Sequence, residues 1–210
     1  MCAYIRCMDD RDFELALIDA AFALGAERGW SSVSPAAAAR YAGLDLTRAR
    51  SLFSCNAAIL RCFGRQADAY ALTNPVTDGS IKDRLFDILL RRFDYLQSHR
   101  AGVVALTRHL PVCPPLAVAL AEMNITSMGW LLEGAGVDAT GFMGGLKKRG
   151  LLGVWLYALR VWLTDDSPDL TATMAAVDTA LAKVEGLASK LGGGTAVAEK
   201  ADMTKNVSKN

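Results

Sequence analysis

Side chains that usually carry chemistry are sparse in this sequence. Histidine occurs only at His99 and His109, too few for histidine-based metal binding or a catalytic triad. The five cysteines (Cys2, Cys7, Cys55, Cys62, Cys113) are odd in number and contain no CxxC pair. They imply neither a disulfide framework nor a zinc site, and free thiols fit a reducing cytoplasm. Asp9-Asp10-Arg11-Asp12 reads as the acidic first turn of a helix. No nucleophile–base pair, glycine-rich phosphate loop or carboxylate pair at metal spacing stands out. The expectation is therefore no enzyme, no metal and no cofactor. What remains is arginine. Residues 31–65 carry Arg40, Arg48, Arg50, Arg61 and Arg65 against one acid, Asp45, a local charge of +4 in a chain whose net charge is only +1. Such a patch suits several phosphates, and arginine can also read guanine in a major groove; equally, a few arginines on a helix make an ordinary solvated face.

These side chains need elements to hold them. Hydrophobic residues make up 52% of the 210 and mean hydropathy is +0.21, which excludes wholesale disorder. MCAYIRCMDDRDF has no apolar core of a secretory signal. The longest apolar stretch, Leu151 to Leu163, is 13 residues and contains Arg160. That is short of the roughly 20 residues a spanning helix needs. We expect no transmembrane segment, at most peripheral membrane contact. Strand signals are almost absent, and helical periodicity runs nearly throughout.

Asp10 to Arg28 carries Phe13, Leu17, Ala20, Ala21 and Leu24 on one face. Ser34-Pro35 opens a short helix to Tyr41, and Asp45 caps another from Leu46 to Phe53. Ser54 or Asn56 caps a fourth, which runs to about Leu72. Breakers at residues 73–80 suggest a boundary. Further helices follow: an amphipathic one through Leu85, Leu89 and Phe93; Leu116 to Gly134 after a proline-punctuated turn; Gly141 to Leu163, apolar almost all round and hence enclosed. A last helix is launched by Ser167-Pro168-Asp169. The expected fold is all-α with about nine helices, divided as 1–72, 81–191 and a disordered tail over 192–210.

The stretch from Ala16 to Leu60, with Gly29-Trp30, the Ser34-capped Ala38/Ala39 helix and the Ala42-Gly43-Leu44 turn, resembles the DNA-binding domain of the TetR family. Small residues let two helices approach steeply, and Gly43 permits a tight turn. The resemblance implies a helix-turn-helix head on a helical body that binds a ligand and dimerises. It also implies a DNA-binding set of Arg40, Thr47, Arg48, Arg50, Ser51 and Asn56. Two positions depart from the family: Arg50 stands where a tyrosine is usual, and Asn56 where a lysine usually grips phosphate. In this alignment Arg48 faces the bases and Arg50 the phosphates.

In the second half, Trp162-Leu163-Thr164-Asp165-Asp166-Ser167-Pro168-Asp169-Leu170 and the stretch RLFDILLRRFDYLQSHRAG resemble the TetR-fold lipid-binding proteins of ubiquinone biosynthesis. That resemblance implies an isoprenoid ligand and an accessory role without DNA binding. Phe86, Leu89, Phe93, Met123, Met128, Trp130, Trp155 and Leu159 are candidate lining for an apolar pocket, with core packing as the other reading. The Lys147-Lys148-Arg149 cluster reads as exposed surface. The stripe Leu170, Met174, Val177, Leu181 and Val184 is the candidate homodimer seam. The expected function is a cytoplasmic TetR-type regulator with operator DNA and an apolar small molecule as partners. The alternative is the isoprenoid-binding accessory protein.

Overall fold

The computed structural model describes residues 9–74 and 78–186. Among them are nine α-helices, two short 3-10 turns and no strand. Helix α1 (Asp10–Arg28) starts where the Asp9 carboxylate accepts the Asp12 N–H at 2.8 Å. Its buried face is Phe13, Leu17, Ile18, Ala21 and Leu24. Helix α2 (Pro35–Tyr41) has Pro35 in its first turn and Ser34 accepting from Ala37 N–H at 3.0 Å. The turn after it passes through Gly43 at φ +66, a left-handed backbone that a side chain would strain. Helix α3 (Leu46–Leu52) is capped by Asp45, which accepts from Arg48 N–H at 2.7 Å.

Helix α4 (Asn56–Leu72) departs from the expected cap. The residue at its N-cap is Cys55, with no side-chain cap bond, and neither Ser54 nor Asn56 fills that role. Asn56 instead donates its Nδ2–H to the Val33 carbonyl at 2.7 Å, fastening α4 to the loop before α2.

The remaining helices form the body. Helix α5 (Ile81–Gln97) opens with a capping box of Ser80 and Asp83, and α6 (Arg100–His109) follows directly. Helix α7 (Pro114–Gly134) begins two residues before the expected Leu116, because Pro114 and Pro115 fit a first turn whose N–H groups have no intrahelical partner. Helix α7, not the Leu151–Leu163 stretch, is the most membrane-like segment among the described residues. By length and composition it could cross a membrane, at a mean hydropathy of 1.2 over its best window. Glu122, Asn124, Thr126 and Ser127 interrupt it, so no uninterrupted apolar run had marked it out. One such helix is weak evidence for a membrane span.

Helix α8 (Gly141–Trp162) is not enclosed as its composition suggested. Phe142 is 90% exposed, and Met143, Leu146, Leu156 and Tyr157 are exposed too. Helix α9 covers residues 171–186. Its start also differs from expectation: Pro168 and Asp169 lie in a turn, and Leu170 takes φ +50 just before the helix. The organising group is Asp165. Its carboxylate accepts from Ser167 N–H and Oγ–H and from Thr173 N–H and Oγ1–H, at 2.5–3.1 Å. The expected disordered tail over 192–210 lies outside the described residues, as do Cys2 and Cys7.

Helix α4 is the shared element, packing on α1 on one side and on α5 and α7 on the other. Helix α1 also packs directly on α6. At that joint Gly102 presses against Phe22, and Trp30 Nε1–H donates to the Gly102 carbonyl at 2.8 Å. His99 lies within 2.7 Å of Asp19 Oδ1 beside the same contact, edge-on to Phe22 and Phe63 and tilted against Tyr95. The three-helix head is thereby seated on the body through buried aromatic contacts.

Candidate nucleic-acid interface and ligand cavity

Helix α3 presents Thr47, Arg50 and Ser51 to solvent. Spacings of three and four place them on one helical face. Arg40 of α2 is exposed as well. Arg48 is not part of this surface. It turns back to α1, with Nη2 donating to Asp10 Oδ1 at 2.6 Å, Nε to the same oxygen at 3.1 Å, and its guanidinium 4.6 Å from the centre of the Phe13 ring. Two residues on a helix are about 200° apart, so exposure of Arg50 forces Arg48 towards the helix it packs beside. Arg48, expected to face the bases, instead braces α3 against α1, while Arg50 points outward. Asn56 is half-buried and already holds Val33, so it offers no free cationic grip of the kind a lysine would supply. Asp10 was visible only as an acidic first-turn residue, and nothing local in the sequence tied it to Arg48 38 positions away.

The body contains a cavity of about 210 Å³ between α4, α5, α6, α7 and α8. Its wall is overwhelmingly apolar, with Leu60, Phe63, Leu106 and Leu120 typical of it. Of the expected lining residues, Met123, Trp155 and Leu159 reach the cavity. Phe93 stacks behind Trp155, with ring centres 4.4 Å apart. Leu89 and Met128 are fully buried in the core, and Phe86 packs against it; none of the three lines the cavity. Trp130 is 64% exposed elsewhere on α7. A helical stripe of apolar residues cannot by itself separate core from cavity, because both faces look alike in sequence.

A charged cluster at the wall was not foreseen. Arg92 is 4% exposed, lies 3.1 Å by its Nε from Asp68 Oδ1, and sits 4.3 Å from the centre of the Trp155 ring. Ser127 Oγ–H donates to the other Asp68 oxygen at 2.5 Å. Burial pushes the Arg92 guanidinium down from its ordinary value while the Asp68 charge opposes that shift. The signal was a lone arginine and a lone aspartate on otherwise apolar helical faces.

Residues of the expected dimer seam divide. Leu170, Val177 and Leu181 are buried in the chain's own core, while Met174 and Val184 remain exposed. The outer face of α8, with Phe142, Leu146, Leu156 and Tyr157, is the larger open apolar surface. Among the described residues no group of three or more His, Cys, Asp or Glu could hold a metal ion.

Comparison with solved structures places this arrangement in the TetR-type fold. A TetR transcriptional regulator of Nitrosomonas europaea superimposes with a TM-score of 0.65 at 18% identity, covering 81% of this chain and 97% of that one. A transcriptional regulator of Rhodococcus sp. Rha1 gives 0.51 at 18% identity, with 81% and 94% covered. A further Rhodococcus protein assigned to the TetR family gives 0.55 at 15% identity, with 80% and 98% covered. No protein-family profile and no curated protein matches the chain. None of these three structures is described as a protein of ubiquinone biosynthesis, so that subgroup is unsupported.

Proposed function

We propose that this chain is a ligand-responsive transcriptional regulator. Its head meets the major groove through the exposed face of α3, with Thr47, Arg50 and Ser51 outward and Arg40 reaching backbone phosphates. The observation that carries this reading is the Thr47–Arg50–Ser51 face, held outward by the Asp45 cap and by the Arg48–Asp10 brace. The exposed apolar face of α8, with Met174 and Val184 of α9 beside it, is the surface on which a second copy would pair. Two heads could then address half-sites one helical turn apart. A small apolar effector in the cavity touches α4 and α6, the two body-side contacts of α1, and so bears on head position.

The test is duplex binding to the chain's own upstream region, titrated with salt, alongside sedimentation at micromolar concentration. Binding at low salt is expected, and Arg50→Ala should weaken it and reduce the salt slope by roughly one. No binding at low salt, or a monomer at micromolar concentration, would overturn the reading.

A further inference from the structure

The cavity wall holds one ionisable side chain, Arg92, and its donors are only partly used. Its Nε faces Asp68, and its Nη2 donates to Asn124 Oδ1 at a long 3.4 Å. Its Nη1 is buried with no hydrogen-bond partner. The other polar side chains of the wall each already donate within the protein, although Asn124 keeps its second Nδ2–H. Thr107 Oγ1–H donates to the Val104 carbonyl, Asn124 Nδ2–H to the Leu120 carbonyl, and Ser127 Oγ–H to Asp68. A molecule entering this cavity therefore meets apolar surface, the second Asn124 N–H and, at the base of the wall, the unpartnered and nearly inaccessible Nη1 of Arg92, the only charged donor there.

Charge balance decides what that donor can take. Asp68 already compensates Arg92, so the site is neutral as it stands. A second carboxylate would be buried without a counter-charge, and a cation would face the guanidinium; both are costly in an apolar wall. A neutral acceptor oxygen satisfies the buried N–H and adds no net charge. At about 210 Å³ the cavity is somewhat larger than the roughly 150 Å³ that accommodates a benzene.

We propose that the cavity binds a small, uncharged, mostly apolar molecule carrying one carbonyl-type oxygen, and that Arg92 Nη1 donates to that oxygen. This rests on reading the cavity as the effector site, and it names the effector's chemical class.

Three probes of nearly equal size separate the possibilities: acetophenone, its carbonyl-free isostere cumene, and benzoate. With the wild-type chain, calorimetry should show acetophenone binding about tenfold or more tighter than both others, the gain expected of one hydrogen bond to a charged donor. In the double variant Asp68→Asn/Arg92→Met, which removes both charges together and strands neither, the preference for acetophenone over cumene should fall to about one. Equal binding of cumene and acetophenone to wild type, tightest binding of benzoate, binding of none of the three, or a preference that survives in the double variant would each overturn the proposal. Should that variant not fold, the wild-type series decides alone. A duplex-binding assay keeps the two readings apart. Lost DNA binding with the probe preference intact overturns the regulator reading only; DNA binding without the preference overturns this one only.

Discussion

In the head, Arg40 and Arg50 stand in water and Arg48 leans on a surface carboxylate, whereas in the body Arg92 is buried beside Asp68. Both regions carry arginines on helices of the same kind, yet the surroundings give them opposite duties. A guanidinium in water costs nothing to hold and is free to meet a phosphate. A guanidinium in an apolar wall needs its partner, and whatever donors the partner leaves unspent become the chemistry of the cavity. On the proposed reading, the head would act through what α3 leaves exposed, and the body through what burial leaves unsatisfied.

The contrast is broken most severely by Arg92→Met. Removing the cation leaves the Asp68 carboxylate buried with only Ser127 to hold it. A loss of about 3–5 kcal/mol in urea denaturation is expected, with most of it recovered when Asp68→Asn is added. A loss under about 1 kcal/mol would show that water reaches the pair.

The joint between the two regions is next. A Cβ on Gly102 would lie 2.6 Å from the Phe22 carbonyl oxygen and 2.8 Å from Phe22 Cβ. Backbone is in the way, so α1 and α6 must separate. Gly102→Ala should cost about 1–3 kcal/mol by thermal or urea unfolding and should disturb the Trp30–Gly102 hydrogen bond. Wild-type stability would mean that the head is not seated through this contact.

Much of the head was legible because its determinants are local. Ser34 with Pro35, Asp45 and Gly43 each act within a few residues, so α1, α2, α3 and their turn could be read directly. The direction of Arg48 was not legible, because it depends on Asp10 and Phe13 of a different helix. In the body the number of helices was readable from periodicity, but the cavity was not. Leu89 and Met128 fill core while Met123 and Leu159 line a void, and only tertiary packing separates them. The Ser-Pro-Asp signal misled for a similar reason: Asp165, two residues earlier, captures Ser167 and Thr173 and moves the helix start to residue 171.

Asp165 supplies a contrast within the body, since it is a buried charge whose bonding capacity is filled. Burial pushes its carboxyl up, but the hydrogen bonds from Ser167 and Thr173 outweigh that and hold it well below the usual carboxylate range. A folded value below the unfolded one means that this stabilisation is present above about pH 4 and is lost as pH falls from there. Stability measured between pH 5 and pH 2.5 should fall more steeply for wild type than for Asp165→Asn. Equal slopes would show that the four hydrogen bonds do not favour the charged form.

The smallest effect expected is that of Arg48→Ala, and it tests the division of labour on α3. Were Arg48 a base-reading side chain, its loss would cost about 1–3 kcal/mol on the specific site and relax preference at one base pair. The structure gives it another task. Its guanidinium is bound to Asp10 and lies against Phe13, while its backbone N–H serves the Asp45 cap and would survive in alanine. Asp10 is largely exposed, which limits an ion pair of this kind to about 0.2–1 kcal/mol, with the ring contact adding a similar amount. Arg48→Ala should therefore lower the stability of the fold by about 1 kcal/mol and leave base preference unchanged. Arg50→Ala should do the reverse, weakening duplex binding with little change in unfolding. Asp10→Ala should reproduce only the ion-pair part of that loss, since the Phe13 contact survives it, and the double variant should cost little more than Arg48→Ala alone. Loss of base preference in Arg48→Ala with unfolding unaltered would return that side chain to the groove and leave the Asp10 contact a resting position.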